Sequence, residues 1–385
     1  MCFDFDRQID RRHSDSTKWR TYDADVLPLW TADMDFAVPP PVVEALHQRV
    51  SHGVFGYCVH PPELRELMAD RMRRLYGWRV RPDEVVLQTG VLKAFQLVAS
   101  LAAGPADGVL VQPPVYPPIL GAARHNGSVH QEAPLVQRTD GRYEIDFDAF
   151  EAAITPATRL FILCNPHNPV GRVFRRDELE RLAEICLRHG VLMCSDEIHC
   201  DLVYPGAAHL PLASISPDVS RRTVTLMAPS KTFNIPGLRC SFAIVQDPEL
   251  RARVAGDHGG DFAEVNNLGL VAATAAYRDG QPWLDEVLRY LEANRDFVVE
   301  FVRRELPGLT AVAPEATYLA WLDCRQSGIT GDPYEFFLRR ARVALSAGPS
   351  FGTGGEGFAR LNFACPRATL IEALGRMRRA LAEAS

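Results

Sequence analysis

Residues 223–239 read TVTLMAPSKTFNIPGLR. The segment opens as an apolar strand, breaks at Ala-Pro-Ser, presents Lys231, and leaves through a turn with Pro236 and Gly237. A strand without polar alternation is buried on both faces, as in a parallel sheet covered by helices. A lysine at the mouth of such a strand is partly desolvated, which favours its neutral form. The neutral amine is the form that attacks a carbonyl or accepts a proton. An isolated lysine at a strand end is most often a solvated loop residue. Here the chain has 42 Lys+Arg residues, and its only lysines are Lys18, Lys93 and Lys231, so amine chemistry has few other addresses.

Similar apolar runs recur at Glu84–Gln88, Gly108–Gln112, Arg159–Cys164, Val191–Ser195 and Cys240–Val245. They alternate with helical patterns at Val91–Ala103, Asp177–His189 and Asn266–Tyr277. That alternation predicts an α/β fold with a parallel sheet between helices. After Gly280 the pattern changes to a long amphipathic helix, Trp283–Leu306, short strands at Tyr318–Leu322 and Phe358–Phe363, and a terminal helix, Arg367–Ala382. A length of 385 residues exceeds what one core supports, and two domains are expected. The reading is an irregular, Pro-rich N-terminal segment, 1–45, packing on the small domain; a large domain, 46–280; and a small α+β C-terminal domain, 281–385.

The formal net charge of −6, with no basic stripe, argues against a nucleic-acid partner. No run of about 18 apolar residues predicts a membrane span. The N-terminus lacks the apolar core of a signal peptide. The nine cysteines are scattered without a CxxC pair and read as reduced core residues of a cytoplasmic protein.

Four further segments carry chemistry. In VLMCSDEIHCDLVY, Asp196 interrupts an apolar strand. A buried carboxylate needs a positive partner, either a structural arginine or a ligand cation such as a protonated pyridine nitrogen. A metal site through Asp196, Glu197, His199 and Asp201 is disfavoured, because strand alternation turns Asp196 away from the other three. In FILCNPHNPVGR, two prolines and a glycine fix a turn whose Asn168 can donate to a phenolate oxygen; the plainer role is a tight turn. Thr89-Gly90-Val91-Leu92 ends a strand and opens a helix, where free backbone amides suit a phosphate. In FARLNFACPR, Arg360 lies in an apolar strand, placed for a structural salt bridge or to clamp a carboxylate. Gly352–Gly357 fits GxGxxG but runs into a strand-like segment, so it reads as a mobile loop and not a dinucleotide site.

Together these segments resemble pyridoxal 5′-phosphate (PLP) enzymes of fold type I, the class I/II aminotransferase superfamily. Within it the chain is similar to the cystathionine β-lyase-type C–S lyases. The resemblance rests on IDRRHSDSTKW, LPLWTADMDF, HGVFGY, CNPHNPVGR, SDEIHCDLVY, APSKTFNIPGL, TYLAWLD and RLNFACPR, and covers almost the whole chain. It implies a large domain with a mostly parallel seven-stranded sheet sandwiched by helices, plus a smaller α+β domain. By resemblance, Lys231 forms the Schiff base with PLP and moves the Cα proton. Asp196 pairs with the pyridine nitrogen, and Asn168 bonds the ring's O3′ beside the substrate. Tyr116 stacks on the ring as a catalytic aromatic. Gly90, Val91, Leu92 and Ser230 hold the phosphate. Tyr57 reaches the neighbouring subunit's phosphate, implying a homodimer with active sites at its interface. Arg360 grips the substrate α-carboxylate. His199 stands where ordinary aminotransferases place a tyrosine, and DEIH is the C–S lyase form.

The implied reaction is cleavage of an L-cysteine S-conjugate, cystathionine-like, to thiol, pyruvate and ammonia, with no metal. An aminotransferase, or a decarboxylating or oxidative deaminase of an S-conjugate, uses the same scaffold. Departures from the branch are Val91-Leu92-Lys93 at the helix start, Arg239 eight residues after Lys231, and the segment 256–266.

Overall fold

The computed structural model describes residues 3–256 and 264–384, so most of the atypical 256–266 segment lies outside the described residues. The central sheet comprises β1 (Val85–Gln88), β2 (Gly108–Val111), β3 (Val129–Glu132), β4 (Thr158–Cys164), β5 (Leu192–Asp196), β6 (Thr223–Met227) and β7 (Ser241–Ile244). Their order across the seven-stranded sheet is β1-β7-β6-β5-β4-β2-β3. β7 runs antiparallel to both neighbours; the other pairs are parallel.

Alternation along β4 explains why the sheet is apolar throughout. Leu160, Ile162 and Cys164 join one cluster with Phe95 and Val98, from helix α3 (Val91–Ala102). Phe161 and Leu163 join the opposite cluster with Leu179 and Leu182, from α4 (Arg176–Arg188). Successive side chains point to opposite faces, so a sheet covered on both sides has no polar face. Each fully buried Leu or Phe stabilises the layer by roughly 1.5–3 kcal/mol relative to exposure.

The polypeptide reaches this sheet through α1 (Pro40–Ser51) and α2 (Pro62–Tyr76). The irregular stretch expected through residue 45 therefore ends earlier, and α1 crosses the expected boundary. Pro40 and Pro41 begin that helix because its first turn has no use for their missing N–H groups.

After β7 the chain passes through α5 (Asn267–Asp279) and α6 (Gln281–Glu305), which meet at Gly280. A methyl group at Gly280 would collide with the Ala276 carbonyl and press on the Phe233 ring. A second, antiparallel sheet has the order β8-β9-β11-β10, with β8 (Thr310–Ala311), β9 (Leu319–Asp323), β10 (Ser346–Ala347) and β11 (Phe358–Asn362). Helix α7 (Arg367–Ala384) closes the chain. Buried Asn294 of α6 donates to the carbonyls of Phe363 at 3.0 Å and Cys365 at 2.9 Å, pinning the exit of β11.

The N-terminal segment pairs with this part of the molecule. Leu27–Pro28 forms a parallel ladder with Val343–Ala344. Beyond it, residues 30–36 form a strap across the C-terminal edge of the central sheet, fastened by Asn362, whose Nδ2 donates to the carbonyls of Thr31 and Asp33. No helix among the described residues is long and apolar enough to cross a membrane.

Candidate active site

Register brings the chemistry to one edge. Cys164, Asp196 and Leu226 lie level on β4, β5 and β6. Asn168 therefore emerges beside Asp196, with Lys231 just past β6. On the far side of β7, Ser241 faces Gln88 and Phe242 faces Met227, so Thr89–Gly90 opens at the same edge. Ligands of open α/β sheets bind outside these carboxyl ends.

Asp196 is buried; its carboxylate accepts from the Ile198 amide at 3.2 Å and forms no ion pair among the described residues. Burial raises its pKa to about 7, with Glu197 adding to the rise while the Ile198 bond and Lys231 oppose it. Lys231 Nζ donates to the Ala32 carbonyl at 2.6 Å. Burial lowers its pKa to about 8; Asp33 and Asp196 pull upward and Arg360 downward.

Arg360 is buried on β11 without a carboxylate partner among the described residues. It donates to Asn168 Oδ1 at 3.0 Å, the Trp30 carbonyl at 2.7 Å and Ser346 Oγ at 3.0 Å, while its Nε has no hydrogen-bond partner. Burial lowers its pKa to about 10. Its guanidinium lies 5.0 Å from the Phe351 ring centroid.

Tyr116 precedes the turn Pro117–Leu120; burial and the Asp196 charge hold its phenol above the usual range, with Arg360 partly offsetting them. His199 is buried and its Nδ1 has no partner. Burial, then the charges of Lys231 and Arg360, keep its imidazole neutral, and its ring lies 5.9 Å edge-on from Tyr318. Ser230 is half-buried beside Lys231. Val91 and Leu92 open α3 after Gly90, with no side chain capping that turn.

Tyr57 is not brought to this cluster. It is fully exposed on a segment where Val54, Phe55 and Val59 are exposed too. Arg239 is also exposed, with a left-handed φ of +48°. Other carboxylates near Asp196 are engaged elsewhere. Glu197 takes His209 at 2.8 Å and Ser195 Oγ at 2.8 Å, and Asp201 pairs with Arg71 at 2.6 Å. The GxGxxG turn is tied to its neighbours: Thr353 donates to Glu132 at 2.6 Å, and just before the turn the Phe351 carbonyl accepts from the Val115 amide at 2.9 Å.

From the sequence, residues near Trp30–Phe36 are candidates for lining the substrate site, but sequence reasoning missed the contact of the strap's backbone with Lys231. Ala32 contributes only a carbonyl, which any residue type supplies. Tyr318 donates to that same carbonyl at 2.9 Å. Asn234, at φ +58°, bonds the backbone of Met34 and Phe36. Its position three residues after Lys231 and its tolerance of left-handed backbone were the available signals.

Buried charges without partners are costly, and this edge holds an acid, an amine and a guanidinium that no ion pair joins among the described residues. The set fits PLP with an amino-acid substrate. Asp196 matches a ring nitrogen cation, Lys231 an aldehyde and Arg360 a carboxylate. With Oδ1 committed to Arg360, Asn168 keeps Nδ2 to donate to a phenolate oxygen.

Residues 24–377 match the family model for aminotransferase class I and II. The chain is 40% identical to cystathionine beta-lyase PatB of Bacillus subtilis, over 98% of this chain and 99% of that protein. Among solved structures, OvoB is 45% identical with a TM-score of 0.94, covering 98% of this chain and 99% of its own. The PLP-bound C-S lyase from Staphylococcus hominis is 34% identical with a TM-score of 0.93, covering 99% of each chain.

Proposed function

The chain belongs to the aminotransferase class I and II family, and on that premise we propose that it is a PLP-dependent carbon–sulfur β-lyase acting on L-cysteine S-conjugates. The cofactor is pyridoxal 5′-phosphate. When bound, it takes up the electrons left on a substrate's Cα as its proton departs.

The protein's own residues do the rest. Lys231, as neutral amine, takes the Cα proton and returns it where needed. Burial brings that neutral form within reach near physiological pH by lowering the amine's pKa to about 8, because dryness opposes the ammonium. Asp196 holds a negative charge against the ring nitrogen, and the partner cation in turn stabilises the carboxylate. Arg360 anchors the substrate α-carboxylate with its unbonded Nε, its other nitrogens already fixed by Asn168, Trp30 and Ser346. Asn168 would hold O3′, and Tyr116, its phenol protonated, would pack against the ring. Ser230 and the start of α3 would hold the phosphate. The β-sulfur leaves as a thiol; with one water, the remainder becomes pyruvate and ammonia.

The observation that carries the reading is the convergence of buried Asp196 and Arg360 with half-buried Lys231, none of them paired with a counter-ion among the described residues. Likeness to PatB and to the C-S lyase favours cleavage over amino transfer. We further propose a cytoplasmic homodimer, in which the exposed Tyr57 segment lies against a second copy and Tyr57 reaches its phosphate.

The test is cystathionine given to purified enzyme without any keto acid. Pyruvate and homocysteine in equal amounts are expected. Turnover only with an added keto acid assigns an aminotransferase; carbon dioxide or peroxide release assigns the deaminase.

A further inference from the structure

Asp33 and Asp35 on the strap, and the cations that meet them, are charges that the proposed mechanism does not use. Lys18 has a side chain wholly removed from solvent, with Nζ 2.8 Å from Asp35 and 3.5 Å from Asp33. Arg11 bridges the same two carboxylates, at 2.7 Å to Asp33 and 2.6 Å to Asp35. Trp19 Nε1 donates to Asp35 at 2.8 Å, and Lys18 Nζ also donates to the Asp33 carbonyl at 3.3 Å. Burial lowers the Lys18 pKa, and Asp35 and Asp33 more than reverse it, so this lysine stays charged. Such a cluster is an expensive way to fasten a segment that apolar packing could hold.

Its location suggests why it is there. Ala32, next to Asp33, receives the Lys231 amine at 2.6 Å and the Tyr318 hydroxyl at 2.9 Å. Asn234 ties the Lys231 turn to Met34 and Phe36 on the far side of Asp33. One oxygen of Asp33, Oδ1, is buried, accepts no hydrogen bond and lies 3.5 Å from Lys18 Nζ. The charges that act on Lys231 are Asp33 from the strap, Arg360 from β11 and Asp196 from β5, with neutral His199 and Tyr318 in the same cluster.

We propose that the Ala32 carbonyl is the resting place of the Lys231 amine whenever it is not joined to the cofactor, with the charge of the next residue, Asp33, close by, and that Arg11, Lys18 and Asp35 hold both in place. The inference rests on the PLP reading of the site. A substrate that displaces Lys231 leaves an amine that must stay close and oriented. The Ala32 carbonyl takes one of its hydrogens, and Asp33 sets how tightly it keeps a proton. Asp33 is thus a positioning residue, acting through Lys231.

The test reads the amine itself. In cofactor-free protein, competitive acetylation followed by mass spectrometry gives the titration midpoint of Lys231, with Lys93 as internal reference. Asp33→Asn keeps an oxygen for Arg11 but removes the charge. The midpoint should fall by about one pH unit, seen as a roughly tenfold higher acetylation rate at fixed pH below it. A loosened strap would hydrate Lys231 and move the midpoint upward, so the sign separates the two effects. Asp33→Glu should restore the wild-type midpoint. An unchanged or raised midpoint in folded Asp33→Asn overturns the proposal. If Asp33→Asn and Asp33→Glu both fail to fold, Asp33 serves the fold and the proposal is equally overturned. Added PLP should block Lys231 acetylation in every folded variant; loss of that protection in wild type would sink the site reading instead.

Discussion

Lys231 and Asp196 respond in opposite directions to the same dryness. An amine loses its charge on leaving water, and a carboxyl gains a proton. Lys231→Ala should lower pyruvate release by about 10³-fold or more, with the far-ultraviolet circular dichroism unchanged; an active variant ends the mechanism. Uptake of PLP by the cofactor-free protein depends on neutral Lys231. Its rate should climb about tenfold per pH unit up to the amine's value of about 8, then level off, as followed by absorbance near 420 nm. Stability follows the same groups. Asp196, raised from 3.8 to about 7, contributes stability that is full at low pH and lost as pH rises through 7. Lys231, lowered from 10.5 to about 8, contributes stability that is full above 10.5 and lost as pH falls through 8. The cofactor-free site is therefore least comfortable between about pH 7 and 8. The gain in Tm on adding PLP should be larger there than near pH 5, measured by scanning calorimetry. An equal gain at both would show that neither group is relieved by the ligand.

Among the elements, the turn before β11 is held to tight tolerance. A methyl group on Gly348 would collide with the carbonyls of Gly355 and Phe358. The turn carries Phe351, against which Arg360 rests. Gly348→Ala should cost about 1–3 kcal/mol in urea unfolding and raise KM more than it lowers kcat. Unaltered KM would detach this turn from substrate binding. Such constraints were invisible in the sequence, where GxGxxG suggested only a loop. The long apolar runs were legible because burial on both faces leaves no room for polar residues. β3 escaped notice because it is an edge strand, VHQE, with two exposed and two half-buried residues. β8 and β10 are two-residue strands, too short to show a period. The site showed the same division. Lys231, Asp196 and Arg360 stood out as charges in apolar runs, whereas the Ala32 carbonyl is backbone and carries no residue signature. Asp33 lay in a quoted motif, but its closeness to Lys231 depends on how the strap crosses the sheet.

At the scale of the whole molecule, the exposed apolar residues Val54, Phe55, Tyr57 and Val59 lie along one short segment. An apolar run of this kind marks an interaction surface. Light scattering should give the mass of two chains. Tyr57→Phe should fold and weaken PLP retention in dialysis by roughly ten- to a hundredfold, the effect of losing one hydrogen bond to a charged group. A fully active monomer would refute the shared site. The strap, for its part, lies between anchors on two different elements. Leu27–Pro28 is stitched to Val343–Ala344, and Asn234 grips Met34 and Phe36 from beside Lys231. A ligand that draws Lys231 off the Ala32 carbonyl removes one of the hydrogen bonds of the strap. Two of the five tryptophans sit in its path, Trp19 against Asp35 and Trp30 against the Lys18 carbonyl. Indole emission shifts with the polarity around the ring, so the protein carries its own optical gauge of substrate capture, readable without a dye.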